Sequence, residues 1–281
     1  MGGRVGAAAG PSAFRKAFDR LRGRDGVQEA LVEVRTVEGL GADVESNLRQ
    51  AALSITAGHR ASAQASGPSA TQASVDGLTV VVGGGNDHSY AQLVGVREYL
   101  LSVKPGARLG CVNIDAHFDV RKPAPLITSG SPFYLALENG VVLAQDFVEF
   151  GIQRHCNGPD LWQYIESKPG LEVVPFEALR HGKAAEALRH NLTRLAARCQ
   201  GIVISLDLDA AAACFAPGVS APQAEGFSSS DLIEMAEVAG SFAEVCSLGI
   251  FELNPLHDID GRTALLAATV AYHFMSARLA R

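Results

Sequence analysis

Three side chains that bind divalent metals occupy alternate positions of the segment N-I-D-A-H-F-D-V, namely Asp115, His117 and Asp119. Alternate residues of an extended chain point to the same side, so a strand that runs into a loop would direct all three side chains one way. Carboxylate and imidazole groups together suit a hard or borderline divalent ion. We therefore expect a metal site here, with further ligands supplied by other parts of the chain.

Two more sets of metal-binding side chains follow apolar runs. Asp207 and Asp209 end the run 201–206 as D-L-D, and His88 comes shortly after three glycines that follow the run 78–82. Four aspartates and two histidines exceed the needs of a single ion, so we expect two ions that share carboxylates. Mixed Asp and His ligation favours Mn²⁺ over a thiolate-bound zinc. A metal pair activates water, which makes hydrolysis the expected reaction. Each motif alone also fits a capping or loop role.

Alternating strands and helices would position these residues. Strands are predicted at 31–34, 78–82, 109–115, 147–152, 171–174, 201–209 and 247–253, and helices at 12–21, 43–63, 90–102, 160–167, 184–199, 229–240 and 262–279. The Ser/Ala/Gly-rich composition of the segment 66–77 predicts a loop. Such alternation indicates a parallel sheet between two helical layers, in which ligands bind beyond the carboxyl ends of the strands. We find no boundary within 1–281 and expect a single domain.

Composition narrows the possible partners. The net charge is -6 without a basic cluster, which argues against nucleic-acid binding. The apolar runs are of strand length, so we expect a soluble protein rather than a membrane protein. The five cysteines are odd in number and lack C-x-x-C spacing, which argues against a disulfide framework or a zinc knuckle. We expect a cytoplasmic protein that acts on a small molecule.

Five motifs together resemble the ureohydrolase family of arginase and agmatinase. They are G-N-D-H-S-Y-A (85–91), D-A-H-F-D (115–119), S-L-D-L-D (205–209), A-P-G-V-S-A-P (216–222) and F-E-L-N-P (251–255). The likeness spans nearly the whole chain in the family's order. Details resemble the formimidoylglutamase branch more than arginase, namely Arg121 after D-A-H-F-D-V, T-S-G-S-P-F (128–133) and N-P-L-H-D-I-D-G (254–261).

The resemblance implies a three-layer α/β/α fold around a mainly parallel, eight-stranded sheet. It also implies a centre of two Mn²⁺ ions. His88 and Asp119 would bind one ion and His117 and Asp209 the other, while Asp115 and Asp207 would bridge them. Family members are often trimers or hexamers, so a homo-oligomer is expected.

The implied reaction is the hydrolysis of N-formimidoyl-L-glutamate to L-glutamate and formamide, a step of histidine degradation. Glu252 would hold the cationic amidine nitrogens, and Asp119 would carry a proton to the departing amine. The substrate carboxylates need cationic partners, for which Arg121 and Arg154 are best placed. Each arginine taken singly also fits a solvated surface position.

The chain departs from the family pattern at three places. Arginases carry a histidine and an aspartate where this chain has Ser131 and Ala212, which counts against arginase activity. The segment G-G-R-x-G-A-x-x-G-P begins at Gly2, where family members have a preceding strand, so we expect that first strand to be missing. Two alternatives stay open: another amidinohydrolase such as agmatinase or guanidinobutyrase, and an inactive truncated relative that serves as a scaffold.

Overall fold

Six strands form one fully parallel sheet in the computed structural model, which describes residues 5–23, 26–27, 43–66 and 77–281. In chain order they are β1 (Thr79–Val82), β2 (Leu109–Ile114), β3 (Phe147–Ile152), β4 (Glu172–Pro175), β5 (Gly201–Asp207) and β6 (Val245–Phe251). They lie side by side as β1-β6-β5-β2-β3-β4. The four inner strands are buried throughout, because they are apolar on both faces.

Helices cover both faces of this sheet. They are α1 (Gly10–Phe18), α2 (Val44–Ser66), α3 (His88–Val103), α4 (Pro132–Glu138), α5 (Pro159–Glu166), α6 (Phe176–Leu179), α7 (Ala184–Ala196), α8 (Ser229–Ser241) and α9 (Arg262–Leu279). Helices α1, α7, α8 and α9 pack with Val112 and Ile114 on one face, and α3, α4 and α5 pack with Leu109 and Cys111 on the other. Helix α2 packs on α3. The two faces alternate along β2 because successive strand residues point to opposite sides.

The order of the strands creates a crevice next to β2. The chain runs from β2 outward through β3 to β4, and then returns to place β5 and β6 on the other side of β2. Ligands of open α/β sheets bind at such a reversal, beyond the carboxyl ends of the strands. The register pairs Ile114 of β2 with Leu206 of β5, so Asp115 and Asp207 leave the sheet side by side.

The three-layer fold and its parallel sheet are confirmed, with local corrections. The resemblance implied eight strands, whereas the described residues contain six. The strand predicted at 31–34 and most of the loop predicted at 66–77 lie outside the described residues. The run 78–82 was expected to be a buried strand, but β1 is partly exposed and, among the described residues, pairs with β6 alone. Helix α4 and the short α6 were not predicted.

One strand end differs from the prediction for a local reason. The strand predicted at 201–209 ends at Asp207, and a 3₁₀ turn, Leu208–Ala210, follows it. The side chain of Asp207 accepts a hydrogen bond from the backbone N–H of Asp209 at 2.8 Å, which bends the chain out of the sheet.

No helix in the described ranges combines the length and apolarity needed to cross a bilayer.

Candidate metal centre

Buried carboxylates converge beyond the ends of β2 and β5. Two groups of potential ligands form there, and within each group the ligand atoms all lie within 4.8 Å of one another. One group is Asp115, His117 and Asp209, and the other is Asp115, Asp119 and Asp207. Because Asp115 belongs to both groups, the arrangement suits two ions with a shared carboxylate.

The same local turn positions the ligands at both strand ends. The Asp115 carboxylate accepts a hydrogen bond from the backbone N–H of His117 at 2.7 Å, just as Asp207 accepts one from Asp209. Each aspartate thus binds the chain two residues ahead of it and folds the next ligand back toward the cluster. The imidazole Nδ1 of His117 lies 3.3 Å from a carboxylate oxygen of Asp209. The D-x-H and D-x-D spacings therefore have a shared structural basis.

Two carboxylates that the sequence predicts to be functional have backbone conformations that L-residues seldom adopt. Asp119 has a φ of 48° and Glu252 a φ of 64°. Such conformations are unfavourable for residues with a Cβ and persist where the surrounding structure holds them. Both residues are buried. These two backbone conformations therefore cost stability, and the surrounding structure maintains them at the crevice.

Burial and mutual repulsion weaken the acidity of the aspartates. Burial, with the charge of Asp209, raises the pKa of Asp115 to about 7. Burial, with the charge of Asp115, raises the pKa of Asp119 to about 7. Burial also raises the pKa of Asp207, with Asp209 as its main charged neighbour. Burial lowers the pKa of His117, but the carboxylates of Asp209 and Asp115 outweigh burial and raise this pKa to about 12.

These residues fit a pair of divalent cations. Anionic groups that are buried together require cationic partners, and here one histidine faces four carboxylates. One carboxylate oxygen of Asp209 is buried and has no hydrogen-bond partner within the described structure. Oxygen and imidazole donors of this kind suit Mn²⁺. The donor chemistry thus agrees with the predicted metals.

His88 lies outside both ligand groups, and Asn86 reaches them. The His88 ring nitrogen Nδ1 lies 3.3 Å from the carbonyl oxygen of Gly85 and 3.5 Å from the carboxylate of Asp87. Asn86 is fully buried, and its Nδ2 donates to Asp119 at 2.8 Å and more distantly to Asp115 at 3.3 Å. Sequence reasoning missed Asn86, because an amide in a glycine-rich turn carries no metal-binding signature.

Glu252 is connected to the two ligand groups through Asn86. One Glu252 carboxylate oxygen accepts a hydrogen bond from the backbone N–H of Asn86 at 2.8 Å, and the other accepts one from the hydroxyl of Ser220. Ser220 belongs to the A-P-G-V-S-A-P segment, which the sequence singled out only as a whole. The structure therefore brings three separated motifs to one site.

The two predicted substrate arginines lie on exposed loops after β2 and β3. Arg121 is exposed, its backbone N–H donates to the carbonyl of Gly130 at 2.8 Å, and its side chain lies against that glycine. Arg154 is exposed and starts the turn Arg154–Cys156 directly after β3. Both arginines thus follow strands whose carboxyl ends border the crevice.

Comparison with known proteins connects this geometry to a family. The family model described as the arginase family matches residues 1–277. Formimidoylglutamase of Staphylococcus carnosus is 30% identical over 282 residues, which cover 97% of this chain and 80% of that protein. Formimidoylglutamase of Staphylococcus aureus strain RF122 is 32% identical over 277 residues, with the same coverage.

Solved structures agree with these relatives. The crystal structure of Trypanosoma cruzi formiminoglutamase with Mn²⁺ is 27% identical, has a TM-score of 0.79, and is matched over 99% of this chain and 88% of that one. Bacillus subtilis formimidoylglutamase has a TM-score of 0.82 with coverage of 96% and 81%, and its 19% identity supports the fold alone.

Proposed function

The chain belongs to the arginase family, and we propose that it hydrolyses N-formimidoyl-L-glutamate to L-glutamate and formamide. The observation that carries this proposal is the pair of ligand groups that share Asp115 and are tied to Glu252 through Asn86. An amidine is cationic and electrophilic, so a hydrolase for it needs both an activated water and a carboxylate that holds the amidine nitrogens. The names of the Staphylococcus relatives support the choice of substrate.

We propose two Mn²⁺ ions per chain as the cofactor. His117 and Asp209 would hold one ion and Asp119 the other, with Asp115 and Asp207 between them. When bound, the ion pair supplies a water of lowered pKa that acts as a nucleophile near neutral pH. His88 stays a predicted ligand of the ion at Asp119. The hydrogen bond that Asn86 donates to Asp119 supports a role for Asn86 in orienting this carboxylate.

Glu252 and Asp119 would carry out the steps that fall to the protein. The Glu252 carboxylate, held by Asn86 and Ser220, would pair with the amidine nitrogens and orient the electrophilic carbon. As the water oxygen bonds to that carbon, the carbon–nitrogen bond to glutamate breaks. Asp119 would take a proton from the attacking water and deliver it to the departing nitrogen, which leaves as the amine of glutamate.

Arg121 and Arg154 would bind the carboxylates of the substrate. Their exposed positions on loops at the carboxyl ends of β2 and β3 support this role. A guanidinium binds a carboxylate through two parallel hydrogen bonds, which would fix the orientation of the glutamate moiety. A cationic substrate such as agmatine would gain nothing from either arginine.

A side-by-side assay tests the proposal. The purified chain, loaded with Mn²⁺, is given formimidoylglutamate, agmatine, guanidinobutyrate and arginine at equal concentrations, and the release of formamide or urea is measured. We expect turnover of formimidoylglutamate above the other three. Turnover of agmatine alone would reject formimidoylglutamate as the substrate.

Metal analysis of the same preparation distinguishes an enzyme from a scaffold. About two manganese ions per chain support the two-metal enzyme. A chain without metal after growth with manganese would support the inactive scaffold.

We also propose three features that these experiments leave open. The five cysteines are free thiols, which supports residence in the reducing cytoplasm. The one sheet formed by the described residues supports a single catalytic domain over 1–281. A homo-oligomer, either a trimer or a hexamer, follows from the family resemblance, and sedimentation analysis would test it.

A further inference from the structure

One buried side chain, that of Asn157, holds the backbone on both sides of His117. Its Oδ1 accepts a hydrogen bond from the backbone N–H of Phe118 at 2.9 Å, and its Nδ2 donates to the carbonyl oxygen of Ala116 at 3.0 Å. The same Nδ2 donates to the carbonyl of Gln153 at 2.9 Å. Asn157 belongs to the loop between β3 and α5, so these bonds join two separate parts of the chain.

These bonds restrain the segment that carries the imidazole. Residues 116–118 come after the end of β2 and have left the sheet, so strand pairing no longer fixes their peptide planes. Asn157 adds a constraint on both sides of His117, beside the backbone N–H of Gln153 that also donates to the Ala116 carbonyl, and so restricts the rotation of this backbone. The His117 ring must stay within a few ångströms of Asp209 for both to bind one ion, and the two now lie 3.3 Å apart.

The loop that contains Asn157 also reaches the segment that carries Asp209. The backbone N–H of Gln153 donates to the carbonyl of Ala116 at 3.0 Å, while its side-chain amide donates to the carbonyl of Glu225 at 2.7 Å. The segment 223–227 in turn pairs with residues 210–213, directly after Asp209. The bond from Asn157 to the Gln153 carbonyl therefore connects the two halves of one ligand group.

We propose that Asn157 is a positioning residue that sets the affinity of the His117 and Asp209 group for Mn²⁺ by fixing His117 relative to Asp209. This inference rests on the proposed two-metal function. Asn157 lies outside the ligand groups and acts through the backbone of residues 116–118. Removal of the Asn157 side chain should weaken the binding of the ion at His117 and Asp209 and leave the binding of the ion at Asp119 unchanged.

The test compares Asn157→Ala and Asn157→Asp with a matched control, Asn191→Ala. Asn191 is also buried, and its Nδ2 donates to a backbone carbonyl, that of Ala187 at 3.1 Å, but it lies in helix α7 away from the crevice. Asn157→Asp keeps the oxygen that accepts from the Phe118 backbone and loses both donated bonds. This variant tests the inference if Asn157→Ala does not fold. Mn²⁺ binding to the full chain is measured by calorimetry, and thermal unfolding is followed with and without Mn²⁺.

We expect both Asn157 variants to weaken the binding of one ion by about 10- to 100-fold and to leave the other unchanged. Activity should fall at limiting Mn²⁺ and return at high Mn²⁺ with an unchanged KM. Asn191→Ala should lower the unfolding temperature while both ions bind as in wild type. Wild-type affinity for both ions in the Asn157 variants would overturn the inference, even if their unfolding temperature fell. Hydrolysis by the wild-type chain tests the proposed function separately, because the affinity ratio of variant to wild type does not depend on the substrate.

Discussion

Replacement of Asp115 by asparagine should weaken the binding of both metal ions, because Asp115 belongs to both ligand groups. Asparagine has almost the same shape and keeps an oxygen that can accept the bond from the His117 backbone, so the local turn should survive. Loss of an indirect partner of a metal ligand already weakens binding by about 10- to 100-fold, so loss of a shared ligand should cost at least about 100-fold at each site.

The effect on stability follows from the ligand groups. At a Mn²⁺ concentration of about 100 times Kd, one bound ion stabilises the native state by about 2.7 kcal/mol, and two ions by about 5.4 kcal/mol. With affinity reduced about 100-fold at both sites, the same concentration contributes only about 0.8 kcal/mol in Asp115→Asn. The corresponding variant His117→Asn loses a ligand from one group only and should keep about 3.1 kcal/mol.

Thermal unfolding with and without Mn²⁺ measures these differences. With a sensitivity of about 2 °C per kcal/mol for a chain of this size, Mn²⁺ should raise the unfolding temperature by about 11 °C in wild type, about 6 °C in His117→Asn and about 2 °C in Asp115→Asn. Without Mn²⁺, Asp115→Asn should unfold no earlier than wild type, because it removes a buried carboxylate that its neighbours repel. If Mn²⁺ raised the unfolding temperature equally in the two variants, Asp115 would not be a ligand shared by both ions.

Three further predictions concern the dependence of stability on pH, the residues Asn86 and His88 near Asp119, and the binding of the substrate. The pKa values of Asp115 and Asp119 rise from 3.8 to about 7 on folding, so the folded chain holds more protons than the unfolded chain between pH 3.8 and 7. The metal-free protein should therefore become less stable as pH rises through this range. Urea unfolding midpoints at pH 5 and pH 8 would measure the difference. Asn86→Ala removes a hydrogen-bond donor to Asp119 and should weaken binding of the ion at Asp119 by about 10-fold or more in a Mn²⁺ titration. His88→Ala removes the predicted ligand and should weaken the same ion at least as much, and an unchanged affinity would exclude His88 as a ligand. Arg154→Ala should raise KM for formimidoylglutamate by about 10-fold or more with metal content intact, and an unchanged KM would remove this arginine from the pocket.

The fold class could be predicted because its determinants are local in the sequence. Apolar runs of strand length alternate with helical segments, and burial on both faces favours a parallel sheet. The predicted helix 262–279 and strand 147–152 agree with α9 and β3. The partial exposure of β1 could not be predicted, because its apolar residues resemble those of an inner strand, whereas the strand order within the described ranges pairs it with β6 alone.

The sequence by itself determined which carboxylates meet at the site. The D-x-H-x-D and D-x-D spacings place ligands at strand ends, and the carboxyl ends of parallel strands share one edge of the sheet. The pairing of β2 with β5 then sets Asp115 beside Asp207, so three of the four aspartates surround one position.

Only the tertiary structure decided how the surrounding residues serve these carboxylates. In the glycine-rich turn after β1, the side chain of Asn86 donates a hydrogen bond to Asp119, and the direction of such a turn depends on packing as well as on residue type. Likewise, the role of Asn157 arises from hydrogen bonds to residues about 40 positions earlier in the chain. Contacts between distant segments have no sequence period, and so they become visible only when the chain is folded.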